Sequence, residues 1–194
     1  MGHQNEYQKV IELILTGNKK AYGELYELTI QDVYKTVHFL LEDKSDVDDL
    51  VQEIYIQVFK SIEKYDCNRQ FKPWIMGIVV KQVKAYRRKV WMRYRIVKKA
   101  EEMDQSTVLD FSNEIIEKIT NKQLVHLVND LPFKLKQVII LRYLNGYSQE
   151  EVSTILEIPI GTVKSRINSA LQKLRSKGNN KKFIIKEARN GYES

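Results

Sequence analysis

Apolar residues recur at helical intervals along most of this chain. Val33, Val37, Leu40 and Leu41 form one stripe, and Val47, Leu50, Val51, Ile54 and Val58 form a second. In both, the three- and four-residue steps place the side chains on one face of an α-helix. Between them LEDKSDVDD supplies a break and an acidic start for the next helix, with Ser45 as the expected N-cap. A third stripe, Ile75, Ile78, Val79, Val83 and Tyr86, is entered through Pro73 after the polar stretch YDCNRQFK. Over residues 98–120 the period is lost in a polar segment, KKAEEMDQSTVLDFSNEIIEKIT, which reads as a linker.

Helical spacing resumes with Leu124, Val125, Val128 and Leu131. Pro132 opens FKLKQVIILRYL, and Asn145-Gly146 closes it in the left-handed manner common at helix ends. Ser148-Gln-Glu-Glu151 is a capping box, in which the serine caps a first-turn amide and the glutamate reaches back. That helix stops near Pro159, and another follows with Val163, Ile167, Ala170, Leu171 and Leu174 on one side. No strand alternation is long enough to form a sheet. The pattern therefore predicts an all-α fold of two small helical domains, residues 1–97 and 121–178, joined by a flexible linker at 98–120. A basic tail at 179–194 follows, in which KKFIIKEA can form a short helix.

Composition narrows the partners. Of 194 residues 43% are hydrophobic, with eight glycines and three prolines, as expected for folded helical cores. The formal net charge of +7 and a pI near 9.3 suit a polyanion, either nucleic acid or an acidic membrane surface. No apolar run approaches the roughly 18 residues of a membrane span, so direct insertion is not expected. MGHQNEYQKVIELIL is polar and then amphipathic, unlike a signal peptide, and lacks the Ser or Thr that myristoylation wants at its sixth position. A single cysteine, Cys67, excludes an intramolecular disulfide and fits a reducing compartment, so a cytoplasmic location is expected.

The last stripe has an informative outer surface. Thr162, Lys164, Ser165, Arg166, Asn168, Ser169, Gln172 and Lys173 cover the circumference left by the apolar residues. A capped helix, a short proline turn and a second helix with a basic, amide-bearing face form a helix-turn-helix arrangement. Lysine and arginine can pair with guanine or phosphate, and asparagine with adenine. An isolated basic helix would more often be a solvated surface. The capped helix before it and the absence of acidic residues over 161–186 favour DNA instead. Gly161 leaves room for close approach to a phosphate or to the preceding helix.

The first half carries charges of both signs. Residues 42–53 hold six acidic side chains and one lysine, and Asp49, Gln52 and Glu53 lie opposite Leu50 and Ile54. Such a face repels DNA; it suits a protein partner or plain solvent. Residues 81–99 hold nine basic residues and no acid, interleaved with Tyr86, Trp91 and Tyr94, a pattern that suits single-stranded or distorted DNA. Trp74, beside the apolar stripe, is expected in the core.

Two long stretches resemble the extracytoplasmic-function (ECF) sigma factors of the sigma-70 family. DVDDLVQEIYIQVFKSIEKYD with FKPWIMGIVVKQVKAYRRK resembles their second region, and LPFKLKQVIILRYLNGYSQEEVSTILEIPIGTVKSRINSALQKLR resembles their fourth. The likeness extends over about residues 8–177, in the family's order, with the linker where that family has one. It implies a promoter-specificity subunit of bacterial RNA polymerase. The helix bearing Asp46, Asp49, Gln52 and Glu53 would dock on the clamp helices of the polymerase's largest subunit. Asn68, Arg69, Lys72, Lys81, Lys84, Arg87 and Arg88 would bind the −10 element and a flipped base. Thr162, Lys164, Ser165, Arg166, Asn168 and Ser169 would read the −35 element. An anti-sigma protein, often membrane-bound in this family, is a further implied partner. The chain departs from the family at Ser169, where arginine is common, and at Lys81, near which asparagine is usual. The loop CNRQ is also individual to this chain, so no promoter sequence carries over.

Two other classes fare worse. An enzyme lacks support: His3, His38 and His126 have no metal-ligand spacing, one cysteine cannot build a zinc site, and GNKKAYGE is not a phosphate loop. No catalytic residue, metal or cofactor is expected. A stand-alone helix-turn-helix regulator with a sensing or dimerising first half leaves the acidic and basic-aromatic segments unexplained.

Overall fold

In a computed structural model, residues 2–100 and 122–177 are described, with side chains over 6–95 and 124–177. The chain forms two compact units, one of α1 to α4 and one built chiefly from the helices after residue 121. Most of the expected linker and all of the expected tail from residue 179 lie outside the described residues. Every regular element among the described residues is helical, and no described helix is long and apolar enough to cross a membrane.

In the first unit α1 (Gly2–Leu15), α2 (Lys19–Leu40), α3 (Val47–Ser61) and α4 (Phe71–Ala100) pack together. Asn18 starts α2 by accepting the Lys20 amide at 3.0 Å. The predicted stripes meet inside: Val33, Val37, Leu40, Ile54, Val58, Val79 and Val83 are fully buried, while Ile78 is only half-buried. A hydroxyl pair within this core is satisfied, since Tyr55 lies 2.8 Å from Thr29 Oγ1, which in turn donates to the Leu25 carbonyl at 2.7 Å. Such pairing removes the cost of burying the two groups. Burial also pushes the Tyr55 hydroxyl pKa well above its ordinary value.

Two local expectations change. Ser45 does not cap α3. Its amide and hydroxyl both bond to Asp43 Oδ1, at 3.0 and 2.7 Å, and the residue preceding α3 is Asp46, which makes no side-chain cap bond. The aspartate two residues earlier competes successfully for the serine. Likewise α4 starts at Phe71, ahead of Pro73, and continues to Ala100, beyond the expected linker boundary. Pro73 fits because a first-turn amide has no intrahelical acceptor to lose. At the other end of the turn, the Lys44 ammonium donates to the carbonyls of His38 and Leu41, the latter at 2.8 Å, closing the C-terminus of α2.

The second unit contains α5 (Lys122–Asn129), α6 (Phe133–Ile139), most of α7 (Gln149–Leu156) and α8 (Ile160–Lys177). α6 runs on into a π-helical turn, Ile140–Leu144. The Asn145 amide then bonds to Ile140 O at 3.0 Å and the Tyr147 amide to Leu141 O at 3.1 Å. Gly146, at φ +78°, makes this reversal. α5, α6 and α8 pack around Val125, Leu131, Val138, Leu141, Val163, Ile167, Ala170 and Leu174, all buried.

Candidate nucleic-acid and protein interfaces

The face of α8 is set by the turn before it. Ser148 and Glu151 form the reciprocal capping box, with the Ser148 amide 2.7 Å from Glu151 Oε2 and the Glu151 amide 3.1 Å from Ser148 Oγ. α7 ends with Glu157 at φ +55°, a left-handed conformation that a non-glycine residue adopts at some cost. Ser153 holds the reversal from both sides: its carbonyl accepts the Ile158 amide at 3.1 Å and its hydroxyl donates to Ile158 O at 2.6 Å. Pro159 stands just ahead of α8, where its carbonyl accepts the amides of Thr162 at 2.8 Å and Val163 at 3.2 Å.

With Val163, Ile167, Ala170, Leu171 and Leu174 buried, Lys164, Ser165, Asn168 and Ser169 are exposed, and Thr162 and Arg166 are half-buried at the margins. Among the described residues the side chains of Lys164, Asn168 and Ser169 have no hydrogen-bond or ion-pair partner, and Ser165 bonds only to Thr162 O at 3.0 Å. A Cβ at Gly161 would meet nothing within 4 Å. The glycine therefore does not make room for the preceding helix, and approach from outside is the reading that survives.

In the first unit the basic surface is more tied down. The loop before α4 winds around Asp66, whose Oδ1 accepts both the amide and the side-chain amide of Asn68 at 3.0 Å. Arg69 Nε lies 3.5 Å from Asp66 Oδ2. Tyr65, Phe71 and Trp74 form a ring cluster, with centroids 5.0 to 5.4 Å apart, so Trp74 takes part in the packing, although it is half-buried rather than in the core. Lys72 is half-buried and pairs with Asp32 of α2 at 3.4 Å. Lys81, Lys84 and Arg88 are exposed along α4, whereas Arg87 Nη1 sits 2.6 Å from Glu42 Oε1. Farther out, Trp91 and Tyr94 are 56% and 61% exposed, and the Arg95 guanidinium lies 4.6 Å from the Trp91 ring centroid. Such a pair presents a charge and an aromatic face together.

The acidic surface lies on α3. Asp49, Gln52 and Glu53 are exposed and, among the described residues, unpaired. Asp46 differs, being half-buried and accepting a hydrogen bond from the Tyr86 hydroxyl of α4. Burial and this neighbouring carboxylate push the Tyr86 pKa well up. Ile56, one turn beyond Gln52 and Glu53, is 48% exposed, which puts an apolar group at the C-terminal end of the face. Its stripe position had no sequence signal of its own. The long-range pairs, Asp32 with Lys72 and Glu42 with Arg87, were equally invisible, because 40 and 45 residues separate their members.

Comparison with known proteins covers both units. The Sigma-70 region 2 family matches residues 25–93, and the Sigma-70, region 4 family matches residues 121–174. The ECF RNA polymerase sigma-E factor of Haemophilus influenzae is 30% identical over 188 residues, covering 91% of this chain and 97% of that protein. The chain belongs to the ECF sigma factors. SigW of Bacillus subtilis is 27% identical over 185 residues, covering 87% of this chain and 94% of its own length. Among solved structures, the sigma factor RpoE from Bartonella quintana, crystallised with the anti-sigma factor NepR, aligns with a TM-score of 0.68 at 20% identity. That alignment covers 86% of this chain and 98% of RpoE and shows the shared fold. This sigma factor is accordingly an alternative, promoter-directing factor for transcription. Its region 2 match contains the acidic face, the Asp66 loop and the basic part of α4, and its region 4 match contains the helix-turn-helix.

Proposed function

We propose that this sigma factor grips a promoter at two points while held on core RNA polymerase, with the work divided between its units. Residues 1–97 dock on the polymerase through Asp46, Asp49, Gln52 and Glu53 and engage the −10 element through Asn68, Arg69, Lys72, Lys81, Lys84, Arg87 and Arg88. Residues 121–178 read the −35 duplex with Thr162, Lys164, Ser165, Arg166, Asn168 and Ser169. The observation that carries this reading is the contrast of charge on exposed, apolar-backed helix faces. An unpaired acidic face on α3 rejects DNA, while α4 and α8 present basic faces of the kind that neutralises phosphates. The protein acts without catalysing a reaction, in the cytoplasm, and is restrained by an anti-sigma protein, as RpoE is bound by NepR in its co-crystal structure.

Reconstitution tests this directly. The full chain is mixed with core polymerase, and promoters are recovered from a random DNA library by transcription. Recovery of a two-element consensus with the holoenzyme, and weak binding by the factor alone, is the expected result. A chain that ignores core polymerase and binds duplex DNA tightly by itself would instead be a stand-alone regulator. Asp49→Lys with Glu53→Lys should lower core affinity and leave −35 duplex binding intact.

A further inference from the structure

We infer that Tyr86 and Glu42 are positioning residues: together with Asp46 and Arg87 they clasp α4 where it leaves the core and aim its DNA-facing end. The inference rests on the reading of α4 as the −10 binder. Among the residues of α4 whose side chains are described, Val83 is the last fully buried one, and every residue from 88 to 95 is exposed. A helix segment with two consecutive turns exposed all round can tilt and rotate about the packed turn before it. At that point two successive side chains are caught by the turn between α2 and α3. The Tyr86 hydroxyl donates to Asp46 Oδ2, and Arg87 Nη1 donates to Glu42 Oε1 at 2.6 Å.

Neighbouring side chains on a helix project about 100° apart, so two anchors there restrain rotation as well as tilt. The two bonds are unequal. Tyr86 to Asp46 is half-buried and charge-assisted, the stronger kind. Arg87 to Glu42 lies at the surface, with the Glu42 side chain 74% exposed, and contributes direction more than stability. Asp46 also belongs to the proposed docking face, so one short turn supports the polymerase contact and orients the DNA contact. Promoter engagement then depends on Tyr86 and Glu42, although neither needs to touch DNA or polymerase.

The test uses full-length Tyr86→Phe, Glu42→Gln and Lys84→Ala/Arg88→Ala variants, each assembled with core polymerase. The probe is a promoter fragment from the library selection with its −35 element scrambled, so that only the first unit reads it. Tyr86→Phe should weaken binding of this probe roughly three- to tenfold, the worth of one lost hydrogen bond. Glu42→Gln should weaken it about twofold, as for an exposed ion pair. Core affinity should stay at the parent value for both; thermal unfolding should stay there for Glu42→Gln, while Tyr86→Phe, which loses a half-buried bond, should unfold slightly earlier yet remain folded at the assay temperature. If the Lys84/Arg88 variant binds weakly while Tyr86→Phe and Glu42→Gln bind as the parent does, the positioning role is wrong and the α4 reading stands. Tighter binding by Glu42→Gln would make Glu42 a competitor of phosphate and overturn it too. Parallel loss of core affinity would reduce the clasp to a fold-holding contact. An unaffected Lys84/Arg88 variant would remove the α4 reading itself, and the inference with it.

Discussion

The two faces of this sigma factor proposed to meet nucleic acid are built on different principles. On α8 the central side chains, Lys164, Asn168 and Ser169, have no hydrogen-bond or ion-pair partner among the described residues, and the backbone turn before them does the orienting. On α4 and its loop, Asn68 and Arg69 engage Asp66, Lys72 engages Asp32, and Arg87 engages Glu42. One face is displayed and the other is knitted. A displayed face can take up DNA without giving anything up. A knitted face must exchange intramolecular bonds for contacts with its target, which lowers the net gain per contact and makes the geometry depend on residues that touch no DNA. Duplex reading by a rigid helix suits the first kind. Capture of a distorted or unpaired strand, where the surface has to be held open in one shape, suits the second.

The knitted face should therefore be the more fragile. Phe71 is fully buried and packs against Tyr7, Tyr65 and Trp74, with ring centroids 5.3 to 5.4 Å away. Phe71→Ala should destabilise the first unit by about 3–5 kcal/mol and release the loop carrying Asn68 and Arg69. Binding of −10 DNA should collapse while −35 binding survives, as measured by denaturant unfolding and by probes carrying one element each. Loss of both activities together would erase the distinction between the two faces.

Acid should separate the units next. His38 is 5% exposed at the end of α2, between the rings of Tyr34 and Phe39, and its own carbonyl holds Lys44. Burial, and then the Lys44 charge, lower its pKa to about 4. The unfolded chain, with an ordinary value near 6.5, takes up that proton first, so this contribution is complete above about pH 6.5 and disappears as pH falls towards 4. The loss should amount to about 3 kcal/mol, seen as falling denaturant midpoints for the first unit. His38→Leu should flatten the profile over that range; an unchanged slope would assign it to other groups.

Single contacts sharpen the comparison further. Lys164→Ala should cost about 1–3 kcal/mol of promoter binding where the contact is to a base, and should relax selectivity at one −35 position. Lys72→Ala should cost less and barely change the salt slope, because its charge is already answered by Asp32 at 3.4 Å. Equal effects of the two variants would show that the Asp32 pair opens on binding.

The displayed face was also the more legible of the two. Capping box, proline turn and apolar spacing are local signals, and each acts within a few residues of the side chains it places. Even the miss there was local: Glu157 takes a left-handed conformation usually marked by glycine, and Ser153 supports it. The stripes of the first unit were equally readable, since Val47, Leu50, Val51, Ile54 and Val58 all proved buried. What the sequence could not reveal was the partner of each charge. Asp43 taking Ser45 from α3 is a local side-chain competition that periodicity does not encode, and Asp46 taking Tyr86 across 40 residues is decided by tertiary proximity.

The smallest expected effect is also the most diagnostic, because it should change sign between two measurements. Gly161 is the second residue of α8, is exposed, and has open space where a Cβ would stand. In the free protein Gly161→Ala should therefore stabilise the second unit by about 0.5–1 kcal/mol, through lower backbone entropy in the unfolded chain. The first amides of a helix have no intrahelical acceptors and are natural donors to a phosphate. A methyl group beside them would hold a phosphate away, so the same variant should bind −35 duplex more weakly although its fold is firmer. Unfolding and DNA titration on one preparation give both numbers. Tighter or unchanged DNA binding would mean that the glycine serves no approach, and that the displayed face begins only at Thr162.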